Sequence, residues 1–305
     1  MRWPGIEFLF NGVRRSLGLE PPGRSLRIFP DDVFLVSYPK SGNTWIRFLL
    51  GNLIFPDTPA TFGNIRKLVP YPEATPRRHF DRTPRPRIIK SHECFDPRYP
   101  KVIYVVRDPR DVVVSQYHFS RKIRVIADDL PMDTFVNRFL TGEACPYGSW
   151  GENVLTWLTT RDGDLRFLLL RYEDMLADTA HELARVVAFL QLSVSPQQIT
   201  QAVERSSADR MRRLERIQND TRILFKGSRD DLSFVRTAVS GGWRKDLLLP
   251  NVEKIEAAWG SLMRHLGYDL TTQPLSEARL RIAWNAPQLR LETNTLQHDA
   301  ILNEP

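Results

Sequence analysis

The sequence predicts a three-layer α/β/α fold, in which a P-loop-like central parallel β-sheet is flanked by helices on both faces. Two observations carry this prediction. Short apolar runs rich in β-branched residues, such as VFLVS at 33–37, lack polar alternation, which is typical of strands buried on both faces of a parallel sheet. Segments with helical apolar spacing separate these runs, and strands that alternate with helices favour a parallel sheet.

The predicted elements follow in chain order. The first strand, 33–37, leads through a polar loop into a helix at 43–54, and three more strands are predicted at 87–90, 102–106 and 165–170. Further helices are predicted at 109–122, 132–141, 149–161, 178–190, 196–206 and 251–266. No Gly- or Ser-rich linker divides the chain, so we expect one domain at 31–270 and a tail at 271–305. The N-terminal segment, 1–30, suits either a helix packed on the domain or an amphipathic helix at a membrane surface.

Composition and charge are those of a globular protein with an anionic partner. The 305 residues are 42% apolar and 26% charged, and their net charge of +7 favours a nucleotide, a nucleic acid, an acidic lipid surface or an acidic substrate. Cys94 and Cys145 lack the spacing of a disulfide framework or a zinc site, so we expect a reduced, cytoplasmic protein without a metal. No signal peptide and no run of about 18 apolar residues occurs, so neither secretion nor membrane spanning is expected.

The loop YPKSGNTW, residues 38–45, joins the first strand to the first helix. Backbone N–H groups of residues 41–44 would meet an anion at the helix N-terminus, and Gly42 lets the backbone approach it closely. Lys40 precedes the glycine, whereas in the GxxxxGK[ST] loop of nucleoside triphosphatases the lysine follows it. The segment is therefore either a phosphate-binding loop of another kind or an ordinary turn with a lysine in solvent.

A second motif, RDPRDVVVSQYHF, begins at Arg107. Asp108 is predicted to cap a helix whose first residue is Pro109. Arg107 ends a strand and Ser115 follows eight residues later, so both would reach one phosphate at the carboxyl ends of the strands. The alternative is that Arg107 pairs with a nearby aspartate.

Together the two motifs resemble those of the sulfotransferase family that uses 3′-phosphoadenosine 5′-phosphosulfate (PAPS). Further matches follow in order, with IKSH at 89–92, GSW at 148–150, RYEDM at 171–175 and FVRTAVSGGWRKDL at 234–247. The resemblance covers roughly residues 31–268. It implies sulfuryl transfer from PAPS to an acceptor, adenosine 3′,5′-bisphosphate (PAP) as the product, and no metal.

The resemblance also implies three catalytic residues. His92 would be the general base that takes the proton of the acceptor hydroxyl, because an imidazole titrates near neutral pH. Lys40 would neutralise the charge on the bridging oxygen of the departing nucleotide, and Lys90 would contact the sulfuryl oxygens. In-line positioning and cationic stabilisation would supply most of the rate.

The other residues that the resemblance implies bind the donor. Trp45 would stack on the adenine and Tyr172 would reach its edge, although each is also a candidate core aromatic. Arg107, Ser115 and Arg236 would bind the 3′-phosphate. The complete expected donor site is Lys40, Ser41, Gly42, Asn43, Thr44, Trp45, Arg107, Ser115, Tyr172, Ser206, Arg236 and Gly241.

The chain departs from the family pattern at two places. The late motif, RKGxxGxxK in the family, has Thr237 in place of the lysine and Ala238 in place of a glycine, which weakens the backbone contacts expected near Ala238. The Ser-Ser pair at 206–207 precedes Ala208, where the family often has an adenine-stacking phenylalanine. Either Trp45 alone stacks on the adenine, or another aromatic residue such as Phe225 takes the place of the phenylalanine. Ser206 is for this reason a weaker nucleotide contact.

The acceptor is not identified by any motif. The arginine-rich segment 77–87 suits an anionic acceptor, a membrane surface or a solvated loop, while apolar stretches near 53–56 and 68–71 suit a lipid-like or aromatic alcohol. We expect a hydroxyl (or amine) of a small-molecule, lipid or carbohydrate acceptor, a monomer or homodimer, and a cytoplasmic protein with possible peripheral membrane contact. The alternatives are a P-loop nucleotide kinase or NTPase and a non-catalytic protein that binds anionic ligands or membrane surfaces. A nucleic-acid partner is not expected, because the arginines are spread over several segments.

Overall fold

Four parallel strands form the centre of the molecule in a computed structural model that describes residues 26–73, 75, 77–80, 82–218, 227–229 and 231–272. The strands are β1 (Val33–Ser37), β2 (Ile88–Ser91), β3 (Lys101–Val106) and β4 (Phe167–Arg171), in the order β2-β1-β3-β4. Every neighbouring pair is parallel. The predicted parallel sheet is therefore confirmed, with strand ends shifted by one or two residues from the predicted bounds.

Twelve helices are described in these ranges. They are α1 (Asn43–Ile54), α2 (Ile65–Leu68), α3 (Arg77–Phe80), α4 (Pro109–Lys122), α5 (Met132–Thr141), α6 (Trp150–Arg161), α7 (Tyr172–Ala177), α8 (Thr179–Leu190), α9 (Pro196–Arg205), α10 (Ala208–Gln218), α11 (Trp243–Asp246) and α12 (Leu249–His265). The seven predicted helices are confirmed with ends that differ by at most two residues, whereas α2, α3, α7, α10 and α11 were not predicted. None of the described helices is long and apolar enough to cross a lipid bilayer.

Helices cover both faces of the sheet, as the apolar strands predict. Phe34 and Val36 of β1 point into a core that receives side chains from α4, α5, α6 and α12. Val33 and Leu35 point the other way, into a core shared with α1, α8 and α9. All five residues of β1 are buried, which explains why the strand carries no polar alternation.

The carboxyl ends of all four strands meet at one edge of the sheet, because the strands are parallel. There β1 runs into the loop that contains Lys40, and β2 ends one residue before His92. Arg107 directly follows β3, and Tyr172 directly follows β4. The topology thus gathers residues from four distant parts of the chain at one edge.

Several predictions fall outside the described residues. They concern Phe225, the N-terminal segment up to residue 25 and the tail from residue 273. The domain limits of 31–270 therefore stay a prediction.

Candidate active site

A cavity of about 810 Å³ opens at the carboxyl edge of the sheet. It brings together most of the predicted site, namely Lys40, Gly42, Asn43, Thr44, Trp45, Lys90, His92, Arg107, Ser115, Tyr172, Arg236 and Gly241. Ser41 and Ser206 are fully buried and lie outside its lining. Ser206 accepts a hydrogen bond from Asn52 Nδ2 at 2.9 Å, so its hydroxyl supports helix α1.

The loop before α1 has a backbone that requires glycine at one position. Gly42 has a φ of 100°, and a Cβ there would lie 2.6 Å from Cδ2 of Tyr172. Asn43, the first residue of the helix, donates from Nδ2 to Ser37 Oγ at 3.2 Å and so ties the helix start to β1. The hydroxyl of Ser41 is buried without a hydrogen-bond partner among the described residues. A tight, polar turn therefore faces the cavity at the N-terminus of a helix.

Arg107 joins three segments that border the cavity. Its Nη2 donates to the carbonyl oxygen of Val239 at 3.0 Å, and its Nη1 donates to the carbonyl oxygen of Lys40 at 3.4 Å. The guanidinium also lies 4.2 Å from the ring centre of Tyr172. A carboxylate oxygen of Asp111 is 3.9 Å away, so the local aspartate is only one of several partners. Arg107 therefore holds the first loop and the late motif beside each other.

Asp111 anchors the late motif and was not predicted from the sequence. Its two carboxylate oxygens accept the backbone N–H groups of Gly241 at 2.7 Å and Trp243 at 2.9 Å. Burial raises the pKa of Asp111, while Arg107 and these two N–H groups act in the opposite direction. Ala238, where the family has glycine, adopts a left-handed φ of 52°. Alanine is strained in that conformation, so the glycine of the family pattern has a backbone explanation.

His92 is oriented by a backbone carbonyl. Its Nδ1 lies 2.6 Å from the carbonyl oxygen of Ser37, which can only accept, so we assign the ring proton to Nδ1. Nε2 then carries the free electron pair. Burial and the neighbouring Lys90 hold the pKa of His92 well below its usual range. The imidazole is therefore neutral at pH 7 and able to accept a proton.

The two lysines of the cavity lie over aromatic rings. Lys40 Nζ is 4.2 Å from the ring centre of Phe119 and 4.5 Å from that of Phe234, while Lys90 Nζ is 4.2 Å from that of Tyr71. Within the described ranges, neither ammonium has a carboxylate within 4.0 Å. Burial lowers the pKa of each lysine to about 7, with Arg107 adding to the effect at Lys40. The cavity thus has positive charge that a bound anion would stabilise.

The remaining predicted residues lie at the sides of the cavity. Trp45 packs edge-on against Tyr172, with ring centres 5.7 Å apart. Arg236 makes a 3.4 Å contact with a carboxylate oxygen of Asp246, and Ser115 is half-buried on α4. Tyr71, in the apolar stretch 68–71, lines the cavity as expected for a pocket residue, whereas Phe119, Phe234, Glu73 and Tyr147 also line it and were not predicted. Two of these had a usable signal, since Phe119 lies one helical turn after Ser115 and Phe234 begins the late motif.

The basic side chains of the cavity are suited to an anionic ligand. The sulfotransferase domain family matches residues 30–267, and the chain belongs to this family. The predicted family and enzyme class are confirmed, in preference to a nucleotide kinase or a non-catalytic binding protein.

Relatives and solved structures agree with this assignment. Sulfotransferase 1A1 of Bos taurus is 29% identical over 263 residues, which cover 79% of this chain and 86% of that protein. The crystal structure of mouse sulfotransferase SULT7A1 complexed with PAP is similar with a TM-score of 0.61 and 25% identity, and covers 79% of this chain and 87% of that one. Retinol dehydratase, with a TM-score of 0.66, 20% identity and 88% coverage of both chains, shares the fold.

Proposed function

We propose that this sulfotransferase transfers the sulfuryl group of PAPS to a hydroxyl or amine of its acceptor by in-line displacement, with His92 as the general base. One observation carries the proposal: His92 lines the same cavity as five basic side chains, those of Lys40, Lys90, Arg107, Arg236 and Lys245. PAPS carries a phosphosulfate and a 3′-phosphate, and charge-assisted hydrogen bonds are the strong ones for such groups. The mouse structure similar to this chain contains PAP, which supports the same donor here.

The loop before α1 suits the phosphosulfate. Its backbone N–H groups and the dipole of α1 favour an anion, and the left-handed Gly42 lets the loop pack closely against the ring of Tyr172. We assign the phosphosulfate to Lys40, Ser41, Gly42, Asn43 and Thr44, with Lys90 on the sulfuryl oxygens.

The part of the cavity bordered by Arg107 and the late motif suits the adenosine 3′-phosphate. Arg107 is already fixed by two backbone carbonyls, and Arg236 has only a long contact with Asp246, so it is free to turn toward a phosphate. We assign the 3′-phosphate to Arg107, Ser115, Arg236 and the turn at Gly241. Trp45 and Tyr172 supply the aromatic surface for the adenine. Ser206 accepts a hydrogen bond from Asn52 and does not line the cavity, so we assign it an indirect role in donor binding.

The chemistry follows from the neutral His92. Nε2 takes the acceptor proton while the acceptor oxygen bonds to sulfur and the bond between sulfur and the bridging oxygen breaks. The electron pair of that bond stays on the bridging oxygen, where Lys40 neutralises the charge. The pKa of Lys40 is near 7 before the donor binds, and the anionic donor would raise it and so keep the ammonium charged.

The acceptor is the part of the proposal with the fewest constraints. Tyr71, Glu73 and Tyr147 line the cavity on the side of His92, and the Tyr147 hydroxyl donates to a carboxylate oxygen of Glu73 at 3.3 Å. Such a mixed wall suits a hydroxyl-bearing small molecule, lipid or carbohydrate. A cytoplasmic location, peripheral membrane contact and a monomeric or homodimeric state stay predictions.

The experiment has two stages. Calorimetric titration with PAP should show one saturable site, which is lost or strongly weakened in Lys40→Ala but kept in Lys254→Ala, a surface lysine paired with Asp133. Incubation with ³⁵S-labelled PAPS and a panel of phenols, aliphatic alcohols, sterols, sugars and amines should then label at least one compound. Absence of PAP binding by the wild-type chain would overturn the donor assignment.

A further inference from the structure

The ammonium group of Lys40 lies between two phenylalanine rings. Its Nζ is 4.2 Å from the ring centre of Phe119 and 4.5 Å from that of Phe234. The two rings are 6.1 Å apart and meet edge to face, at 77°. Both distances are within the range in which the negative face of a ring attracts a cation. We call Phe119 and Phe234 the aromatic cage of Lys40.

The charged groups around Lys40 do not explain its position. Arg107, Arg236 and Lys90 repel the ammonium, and Glu215 attracts it from beyond ion-pair distance. The carboxylate of Glu215 instead accepts the backbone N–H groups of Phe234 at 2.5 Å and of Val235 at 3.0 Å. Within the described part of the chain, the cage therefore supplies the nearest groups that favour the charged lysine. A ring face stabilises the ammonium group without bringing a carboxylate, which would repel the anionic donor, into the cavity.

Each ring of the cage belongs to an element that also carries a residue assigned to the 3′-phosphate. Phe119 lies one turn after Ser115 on α4, and Phe234 lies two residues before Arg236. Glu215 fixes the second of these elements through its two backbone contacts. Nζ of Lys122 donates to the carbonyl oxygen of Arg229 at 2.9 Å and fixes the same segment upstream. The positions of the two rings therefore depend on α4 and on the segment around Arg236, which carry the residues assigned to the 3′-phosphate.

We propose that Phe119 and Phe234 are positioning residues for Lys40, whose ammonium their ring faces hold where it meets the charge on the departing nucleotide. The inference rests on the proposed function, in which Lys40 stabilises the bridging oxygen. The inference predicts that positions 119 and 234 each need an aromatic ring to hold Lys40, and that an apolar side chain of similar size does not replace the ring.

The test compares rings with aliphatic side chains. Phe119→Leu and Phe234→Leu remove the ring face, whereas Phe119→Tyr and Phe234→Tyr keep it. Phe62→Leu is the packing control, because Phe62 is fully buried and lies 5.9 Å from the ring of Phe234 without being part of the cage. For each variant, kcat and the KM values for PAPS and for the acceptor are measured with the panel compound that the wild type labels best. Hydrolysis of PAPS to PAP and sulfate is measured without any organic acceptor.

The leucine variants should lower kcat and the hydrolysis rate between about 2- and 30-fold, and the KM of the acceptor should stay within about twofold. The tyrosine variants should recover most of the loss, and Phe62→Leu should lower Tm while leaving kcat within about twofold. Equal losses in the leucine and tyrosine variants, or in Phe62→Leu, would overturn the cage. If the wild-type chain itself neither binds PAP nor consumes PAPS, it is the proposed function that fails, so the two failures are distinguishable.

Discussion

A single methyl group added at Gly42 should separate the loop before α1 from the tyrosine that packs against it. Gly42 has a φ of 100°, a left-handed conformation that costs an L-residue about 1–2 kcal/mol. The new Cβ of Gly42→Ala would lie 2.6 Å from Cδ2 and 3.0 Å from Cε2 of Tyr172, so the ring must move. Such overpacking costs about 1–3 kcal/mol. The free energy of unfolding should therefore fall by about 2–5 kcal/mol.

The same displacement should weaken nucleotide binding. The guanidinium of Arg107 lies 4.2 Å from the ring centre of Tyr172, so a shifted ring loses this contact. The loss corresponds to an increase in the Kd for PAP of between about 2- and 30-fold. Urea unfolding followed by circular dichroism measures the first effect, and calorimetric titration with PAP measures the second.

Gly163→Ala is the matched control. Gly163 has a φ of 78°, but among the described residues other than its chain neighbours no atom lies within 4 Å of the position of its added Cβ. It should lose only the backbone cost of about 1–2 kcal/mol and keep the wild-type affinity for PAP. The reasoning is refuted if Gly42→Ala is no less stable than Gly163→Ala and binds PAP as tightly as the wild type.

Three further predictions concern charges in the cavity. Lys40 has a pKa of about 7 in the folded chain and about 10.4 in the unfolded chain. Between these pH values the unfolded chain binds more protons, so the free energy of unfolding rises with pH. Lys40→Met should therefore raise Tm at pH 8 and make the free energy of unfolding depend less on pH. Burial and Lys90 hold the pKa of His92 well below 6.5 in the free protein, so kcat/KM for PAPS, which reports groups of the free protein, should not decline as the pH falls from 8 to 6.5, whereas a decline centred at 6.5 would contradict the assignment. Asp111→Ala leaves two backbone N–H groups of the late motif without their acceptor and should raise the Kd for PAP by about tenfold. Asp111→Asn keeps one acceptor oxygen and should raise this Kd less. If calorimetry gives wild type and Asp111→Ala the same affinity for PAP, Asp111 does not anchor the late motif for binding.

Most of the long elements were predictable because their apolar pattern reflects burial, although α10, with eleven residues, was missed. The all-apolar VFLVS became β1, buried on both sheet faces, and α4 begins at Pro109 after the capping Asp108, as its sequence predicts. The four-residue helices α2, α3 and α11 were missed, since one turn has no periodicity to read. The segment Tyr172–Ala177 was missed for a related reason: its six residues form a helix that follows β4 without a loop.

The residues of the candidate site were predictable where they belong to short sequence motifs. Contacts between residues far apart in the sequence were not predictable. The spacing of Arg107 and Ser115 placed both at the cavity. The contact of Lys40 with Phe234 joins residues almost two hundred positions apart, and no local pattern records it. Asp111 was visible in the second motif, but its partners Gly241 and Trp243 lie in the late motif, so its anchoring role depends on the fold.

The most direct test of the central claim compares wild type and His92→Ala for transfer of ³⁵S-labelled sulfate from PAPS, alongside calorimetric titration with PAP. His92 lines the cavity with the five basic side chains but is oriented by the Ser37 carbonyl, so its loss should spare the PAP site. We predict an unchanged Kd for PAP and a transfer rate lowered about 10²- to 10⁴-fold, the usual contribution of a general base. Equal transfer rates in the two proteins would contradict the account.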